Sequence, residues 1–191
     1  MSIFESDHER YLLKALAEAS HCTPIQTAFC VGCILVTRLP KRHEYNNIDN
    51  EGPPIILSTG YSRELPGNTH AEANALTKAY NLSQSELVAL FPSFLSSSAS
   101  APPSVERLFP FTDVYTTLEP CSIRTSGLPA CADALIKAKI RRCIIGVGEP
   151  DDFVKCEGAQ KMKDAGIEVV WYKGLETECL AAARRGHDVI A

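Results

Sequence analysis

The chain has 191 residues, 45% of them hydrophobic, and a formal net charge of -4. This length and apolar content are enough for one folded domain with a proper core, and they argue against a disordered chain. The acidic charge argues against nucleic-acid binding, which relies on basic surface, although a small phosphorylated ligand needs only a few local donors.

The N-terminal residues carry Glu5, Asp7 and Glu9 and no apolar run, so they do not resemble a secretory signal. No stretch of the sequence approaches the roughly 20 apolar residues of a membrane span. We therefore expect a soluble, cytoplasmic protein with no membrane partner. In a reducing compartment, the eight cysteines are expected to be thiols or metal ligands rather than disulfides.

The first part of the sequence predicts a helix followed by a hairpin. Residues 7–20 have apolar side chains at helical spacing, and Asp7 is the expected N-cap. An apolar, β-branched run predicts a buried strand over residues 29–37, with residues 55–61 as its hairpin partner. The segment 38–54 between them is polar and contains three prolines, so it is expected to form a long surface loop.

A second helix is predicted over residues 69–80, where Thr69 is a suitable cap and the helix opens on the motif HAEANAL. Further on, residues 92–104 contain SSSASAPP and are too polar and too rich in serine and proline for a core element. We interpret this segment, like 38–54, as an insertion within one domain rather than as a linker between two.

The remainder of the chain alternates strands with helices. The predicted strands cover residues 114–118, 142–147 and 167–172, and the predicted helices cover residues 131–139, 158–165 and 175–185. Pro129 is expected in the first turn of the first of these helices. Such alternation is typical of parallel strands joined by helical crossovers. The sequence therefore predicts a single α/β domain over residues 1–191, with three α/β/α layers and a mixed five-stranded sheet between helices on both faces.

Three side chains match the ligand set of a catalytic zinc, which takes three protein ligands and leaves one position open. His70 lies in the first turn of a predicted helix, Cys121 directly follows a strand, and Cys131 opens a helix. Glu72 is close to His70 but displaced around the helix, so it can move protons without binding the metal. We expect one catalytic Zn²⁺ held by His70, Cys121 and Cys131, with Glu72 as the catalytic acid–base group.

The general signature of zinc deaminases is H-x-E followed later by P-C-x-x-C. The triplet His70-Ala71-Glu72 fits the first half, but nine residues separate Cys121 from Cys131, where the general signature has two. Each half alone is weak evidence. Their order, with a strand before Cys121 and helices at the other two ligands, favours a zinc site that activates water.

A second pair, Cys30 and Cys33, has the C-x-x-C spacing of metal and redox sites. Side chains three apart on a strand point to opposite faces, so this pair is not expected to share a metal. Gly32 between them is expected to give a ligand or a neighbouring helix close access. The four remaining cysteines are expected to be buried packing residues: Cys22, Cys143, Cys156 and Cys179.

These motifs resemble the cytidine deaminase superfamily, and within it the riboflavin-pathway pyrimidine deaminases, in particular their fungal form. The resemblance covers about residues 11–170 and is strongest in VGCILV, HAEANAL, TLEPCS, PACADALIKAKIRRCIIGV and EGAQKMKDAGIEV. A wide spacing between the two cysteines is normal in that branch. The resemblance implies a cytidine deaminase-like fold and assembly as a homodimer or larger homo-oligomer.

The resemblance also implies a reaction. The substrate would be 2,5-diamino-6-ribitylamino-4(3H)-pyrimidinone 5'-phosphate or its ribosyl form, whose 2-amino group is hydrolysed with release of ammonia. Bacterial relatives carry a reductase domain after the deaminase, and this chain is expected to deaminate only. The bacterial Pro-Asn-Pro turn is here Thr27-Ala28-Phe29, and D-P-N-P is Glu149-Pro150-Asp151-Asp152. Substrate contacts therefore cannot be transferred one for one.

Ser122 and Arg124 directly follow the zinc ligand Cys121 and are candidates for phosphate binding. A guanidinium group can bind two phosphate oxygens at once. The alternative for Arg124 is an ordinary solvated loop arginine.

Four further candidates for substrate binding surround the HAE motif. Arg63 and Asn68 approach the site from the other side, and Ala71 lies inside the motif. Asn74 lies four residues past His70 on the same helix face, where it can bond the base or hold a neighbouring loop.

Two other functions stay open on the sequence alone. A deaminase of cytosine nucleosides or nucleotides, such as dCMP, would use the same zinc chemistry. A non-catalytic zinc-binding protein is the second alternative, but structural zinc sites usually have a fourth protein ligand, and Glu72 has no purpose in such a site.

Overall fold

A computed structural model of the chain describes residues 3–40, 51–92, 104–124, 127–150 and 156–187. The helices among them are α1 (Ile3–Ser20), α2 (Ala71–Tyr80), α3 (Gln84–Leu90), α4 (Cys131–Ala138), α5 (Gly158–Asp164) and α6 (Glu176–Ala183). The strands are β1 (Gly32–Thr37), β2 (Ile55–Tyr61), β3 (Thr112–Leu118), β4 (Arg142–Val147) and β5 (Glu168–Trp171). Two short 3₁₀ turns, Val105–Arg107 and Phe109–Phe111, precede β3.

The five strands form one sheet in the order β2-β1-β3-β4-β5. β1 is antiparallel to both β2 and β3, whereas β3, β4 and β5 are parallel. Every residue of β1 and β3 is buried, as expected for strands that are covered on both faces. The predicted mixed five-stranded sheet is confirmed.

Helices cover both faces of the sheet. α1 and α6 pack on one face, and α2, α4 and α5 pack on the other. The side chains of β1 alternate accordingly: Ile34 lies in the core cluster with α1 and α6, and Leu35 lies in the cluster of the opposite face. The predicted three-layer α/β/α architecture is therefore confirmed.

Gly32 allows α1 to lie directly against β1. A Cβ atom at this position would be 1.9 Å from the carbonyl oxygen of Ala15 and 2.5 Å from the nitrogen of Ala19. Both are backbone atoms of the helix, so any side chain here would push the helix off the sheet. The prediction that Gly32 admits a neighbouring helix is confirmed.

The first helix and the first strand begin elsewhere than predicted. α1 begins at Ile3, so Asp7 is an interior helix residue, and the prediction that it is the N-cap is wrong. An aspartate also suits the first turns of a helix, because the macrodipole stabilises its charge, so its type does not mark the first residue. β1 begins at Gly32, because the N–H of Cys30 donates to Ala183 O rather than to a neighbouring strand.

Two helix starts differ in a smaller way. His70 is the N-cap of α2, so the prediction that Thr69 caps the helix is wrong; the Thr69 hydroxyl bonds within the preceding loop. Ala130 is the N-cap of α4, so Pro129 precedes this helix instead of lying in its first turn. The other predicted ends agree with the structure to within two residues.

α3 is an element beyond those predicted. Ser83 and Glu86 form a capping box at its start, in which each side chain binds the backbone N–H of the other residue. This arrangement satisfies two backbone donors that the first turn of a helix leaves without partners.

The two predicted insertions lie mostly outside the described residues, which leave out 41–50 and 93–103. The prediction that residues 38–54 form a surface loop is wrong for Arg38, whose side chain is buried and 6% exposed.

None of the helices in the described ranges is both long and apolar enough to cross a membrane.

Arg38 belongs to a buried ion cluster at the amino-terminal end of β3. Asp113 is fully buried and accepts hydrogen bonds from Arg38 Nη1 at 2.6 Å, from Arg141 Nε at 3.0 Å and from Arg142 Nη2 at 2.7 Å. A buried carboxylate needs such partners, because its desolvation is otherwise very unfavourable. Arg38 also donates to the hydroxyl group of Tyr115 at 3.2 Å.

Replacing Asp113 by Asn is expected to destabilise the fold by about 3–5 kcal/mol, because it removes the one fully buried carboxylate of this cluster, which pairs with all three arginines, and leaves them only the carboxylates at its edge. The free energy of unfolding measured in urea checks this. Asp133→Asn is the control: Asp133 pairs with Lys161 at the surface, where an ion pair contributes about 1 kcal/mol or less. Equal, small losses in both variants would contradict the prediction.

Candidate active site

His70, Cys121 and Cys131 bring one imidazole nitrogen and two sulfur atoms together, all within 4.8 Å of one another. Nδ1 of His70 is 3.5 Å from each of the two Sγ atoms. In a tetrahedral zinc site with Zn–N and Zn–S bonds of normal length, N and S ligand atoms are about 3.6 Å apart. The observed separations therefore fit zinc.

Three different element ends hold the ligand atoms. His70 has an extended backbone at the N-cap of α2, and its side chain makes no cap hydrogen bond. α2 lies close against β2 at Gly60, where a Cβ atom would be 2.3 Å from Ala71 O. Cys121 follows the carboxyl end of β3, and Cys131 is the first residue of α4.

Backbone N–H groups at the start of α4 donate hydrogen bonds to Cys121. The N–H of Cys131 donates to Cys121 Sγ at 3.3 Å, and the N–H of Ala132 donates to Cys121 O at 3.1 Å. Hydrogen bonds from Cys131, and then from His70, lower the pKa of the Cys121 thiol to about 4. The hydrogen bond of Cys131 with Cys121, together with burial, raises the pKa of the Cys131 thiol, because a second thiolate in contact with the first is unfavourable without a cation. A divalent metal ion is what lets both sulfurs ionise.

Glu72 is the second residue of α2, and its side chain is buried next to the cluster. Its Oε1 accepts a hydrogen bond of 2.9 Å from the hydroxyl group of Thr116 on β3. Burial raises the pKa of Glu72 above that of an ordinary carboxyl group. A carboxyl group with a raised pKa can both take up and release protons near neutral pH.

The cluster opens into a cavity of about 350 Å³ that both His70 and Glu72 line. This volume suits a small-molecule ligand. Four of the residues predicted to bind substrate also line the cavity: Arg63, Asn68, Ser122 and Arg124. The tertiary structure therefore brings them to the zinc ligands from two separate loops.

Arg124 and Ser122 lie in the loop between the two cysteines. Arg124 is half-buried, and its Nη2 donates to Asn68 O at 2.6 Å, which joins this loop to the one before α2. Ser122 Oγ accepts from the N–H of Glu157 at 3.2 Å.

Arg63 has a left-handed backbone with a φ of 64° and is one of the residues that line the cavity. Its Nη atoms donate to Phe29 O at 3.2 Å, to Thr23 O at 2.9 Å and to Cys22 Sγ at 2.6 Å. These bonds connect Arg63 to Phe29, which also lines the cavity, and to the segment that follows α1.

The other two predicted substrate-binding residues, Ala71 and Asn74, are not among the described residues that line the cavity. The side-chain amide of Asn74 donates to Tyr61 O at 2.7 Å and to Thr69 Oγ1 at 3.0 Å. This geometry favours the second alternative given for Asn74, which is to hold the neighbouring loop between β2 and α2.

The remaining cysteines are free thiols, as expected. Cys33 is buried in the core and, like Cys30, lies outside the metal-ligand group found in the described part of the chain. Cys156 departs from its prediction, because it is half-buried and lines the cavity. Its position after the carboxyl end of β4 brings it to the same edge of the sheet as Cys121.

Two groups of the site were not among the predicted residues. Glu149 lines the cavity, and burial raises the pKa of its carboxyl group to about 7. It follows the carboxyl end of β4, the sheet edge where α/β folds bind ligands, which is a signal visible in the sequence. Thr116 lies inside a buried strand, where the sequence carries no sign of its contact with Glu72.

An α/β/α fold with a His-Cys-Cys metal site beside a buried glutamate defines the class of zinc-dependent deaminases. Residues 5–147 match the model of the cytidine and deoxycytidylate deaminase zinc-binding region, and the chain belongs to this family. The family that the motifs of the sequence resemble is thereby confirmed.

Two proteins illustrate the likeness. The chain is 39% identical over 181 residues to the diaminohydroxyphosphoribosylamino-pyrimidine deaminase of Schizosaccharomyces pombe, and the match covers 95% of this chain and 36% of that protein. The chain thus spans about a third of the length of this relative. It is 33% identical to Rib2 deaminase of Aspergillus oryzae, a C-terminal deletion mutant, with a TM-score of 0.67 and coverage of 95% of this chain and 92% of the other. The same protein has also been solved in complex with DARIPP.

Glu149 predicts a pH dependence of stability. Its carboxyl group holds its proton up to a higher pH in the folded state than in the unfolded chain, so folding binds protons between about pH 4.5 and 7. The contribution of Glu149 is fully present below this window and is lost as the pH rises through about 7. Glu149→Gln should therefore melt at a higher temperature than the wild type above pH 7 and show no such advantage below pH 4.5.

Melting temperatures of the wild type and of Glu149→Gln, measured from pH 4 to pH 8.5, check this expectation. Glu168→Gln on the exposed end of β5 serves as a control for loss of a negative charge. A gain for Glu149→Gln that does not depend on pH would contradict the proposed cause.

Proposed function

We propose that the chain is a zinc-dependent hydrolase that deaminates 2,5-diamino-6-ribitylamino-4(3H)-pyrimidinone 5'-phosphate, or its ribosyl form, in riboflavin biosynthesis. The observation that carries the proposal is the cavity that joins the His70-Cys121-Cys131 cluster, the buried Glu72 and cationic side chains. The activity for which the S. pombe relative is named and the DARIPP complex of A. oryzae Rib2 deaminase support this substrate class.

In the proposed reaction, water replaces the 2-amino group, which leaves as ammonia, and C2 of the ring becomes a carbonyl carbon. His70, Cys121 and Cys131 would hold the zinc ion, which when bound supplies a Lewis acid that activates water. Glu72 takes a proton from the attacking water. It delivers that proton to the ring nitrogen, then takes the second proton from the hydroxyl group newly bonded to C2 and delivers it to the departing amine.

The phosphate group is proposed to lie against the inter-cysteine loop. Arg124 and Ser122 come from this loop, and Arg124 is held at the cavity by its bond to Asn68 O. A half-buried guanidinium group binds phosphate more strongly than a fully solvated one, because water competes less with its hydrogen bonds. Arg63 lines the cavity next to them and adds positive charge.

Glu72→Gln tests the proton-transfer role. Because Gln has nearly the same shape but cannot take a proton, the variant should keep one zinc ion per chain and lose about 10²- to 10⁴-fold in kcat. Metal analysis and ammonia release are the measurements. Cys121→Ser is the comparison, since it should lose both zinc and activity.

Retained activity in Glu72→Gln would show that Glu72 is not the proton carrier. A protein that binds zinc but releases no ammonia from any pyrimidine would instead support the non-catalytic alternative. In the described residues, the ligand group contains three members, which favours an open catalytic site over a closed structural one.

The substrate is tested by ammonia release from the diaminopyrimidinone phosphate in its ribityl and ribosyl forms, compared with dCMP and cytidine. Faster turnover of either cytosine compound would overturn the riboflavin assignment and favour the nucleotide alternative. Arg124→Gln should raise KM for the phosphorylated substrate roughly 10-fold or more, because a charge-assisted hydrogen bond to phosphate is lost.

The same Arg124 variant should leave KM for the dephosphorylated substrate unchanged. Lys137→Gln is the matched control, since Lys137 is an exposed cation on α4. If Arg124→Gln raises KM equally for both substrates, Arg124 does not bind the phosphate group.

A cytoplasmic location and assembly as a homodimer or larger homo-oligomer stay predictions.

A further inference from the structure

Thr116 lies directly beneath Glu72 on the central strand β3. Its side chain is fully buried, and its hydroxyl oxygen is 2.9 Å from Oε1 of Glu72. The same oxygen is 3.0 Å from the backbone carbonyl of Leu118, two residues further along the strand. One hydroxyl group thus faces two acceptors, a carboxyl oxygen and a carbonyl oxygen.

A hydroxyl group has one hydrogen to donate and lone pairs that accept. When Glu72 is ionised, Thr116 can donate to its Oε1. When the other carboxyl oxygen of Glu72 holds the proton taken from water, Oε1 can still accept from Thr116. Both arrangements leave the buried hydroxyl and carboxyl groups bonded, and neither requires a heavy atom to move.

We propose that Thr116 is a positioning residue that holds the Glu72 carboxyl group in place in both protonation states of the reaction. This inference rests on the proposed function, because only proton transfer requires Glu72 to alternate between the two states. No proton passes through Thr116 on balance. The proton that Glu72 takes from water goes to the substrate, and Thr116 keeps its own hydrogen.

Burial makes this support necessary. Glu72 is 3% exposed, so water cannot freely bond its carboxyl group in the way that it bonds a surface carboxylate. A group that must reach the reacting atoms needs a fixed geometry, and a bond from a rigid sheet provides it. Thr116 lies at the centre of the sheet, paired with Cys33 on β1 and with Ile145 on β4.

Thr116→Val tests the proposal, since valine keeps the branched shape and removes the hydroxyl group. We expect kcat to fall about 10- to 100-fold, the loss associated with a hydrogen bond to a charged group, while KM stays within about twofold. Zinc content should stay at one ion per chain. Thr116→Ser keeps the hydroxyl group and should restore most of the lost kcat.

Thr112→Val is the matched control. Thr112 is on the same strand, is equally buried, and its hydroxyl also donates to a backbone carbonyl, Leu108 O at 2.9 Å, and bonds a side chain, Thr37 Oγ1 at 2.8 Å. It lies at the opposite end of β3 from the site. The melting temperature of Thr112→Val should fall by as much as that of Thr116→Val, whereas the kcat of Thr112→Val should equal that of the wild type.

A crystal structure of zinc-loaded Thr116→Val adds a readout that does not depend on turnover, because the Glu72 carboxyl group should leave its wild-type position or become disordered. An unmoved Glu72 together with a kcat within twofold of wild type would overturn the proposal. So would an equal loss of kcat in Thr112→Val, or a failure of Thr116→Ser to restore activity. Failure of the proposed function is distinguishable, since the wild type would then release no ammonia from the diaminopyrimidinone phosphates.

Discussion

The site depends on bringing two cysteine sulfurs and one imidazole nitrogen within reach of a single cation. Two thiols in contact cannot both ionise on their own, and the pKa values of Cys121 and Cys131 move in opposite directions for this reason. A divalent ion removes this conflict. The folded arrangement of α2, β3 and α4 around the ligand atoms is therefore adapted to a metal ion, and zinc binding should stabilise it in turn.

β3 links the site to the rest of the molecule. At its amino-terminal end, Asp113 is neutralised by three arginines, and at its other end Thr116 supports the buried Glu72. The same strand leads directly into Cys121. A buried ionisable group must be paired or bonded, and β3 meets this requirement at both of its ends. The two ends differ in their surroundings, since Asp113 lies among arginines that stabilise the fold and Thr116 bonds the carboxyl group that we propose to transfer protons.

The loop between the two cysteines gives the site its particular character. Its first residues, Ser122, Ile123 and Arg124, line the cavity beside the metal ligands. A two-residue spacing would leave no room for them. The loop is held by the bond from Arg124 to Asn68 O, so it closes one side of the cavity against the segment that leads into α2. The length of this loop and the side chains that it places at the cavity therefore affect which substrate can enter.

The sequence by itself determined what is local or periodic. Alternating strands and helices predicted the layers and the sheet. The positions of His70, Cys121 and Cys131 predicted a metal cluster, because each of the three lies at an element end that the pattern marks. Only the tertiary structure decided the partners of the other side chains. The side chain of Asn74 bonds a neighbouring loop, and Arg38 is buried in an ion cluster. Thr116 bonds Glu72, which lies 44 positions away in the chain. These contacts join distant strands and helices, and no local pattern encodes which side chains meet across a sheet.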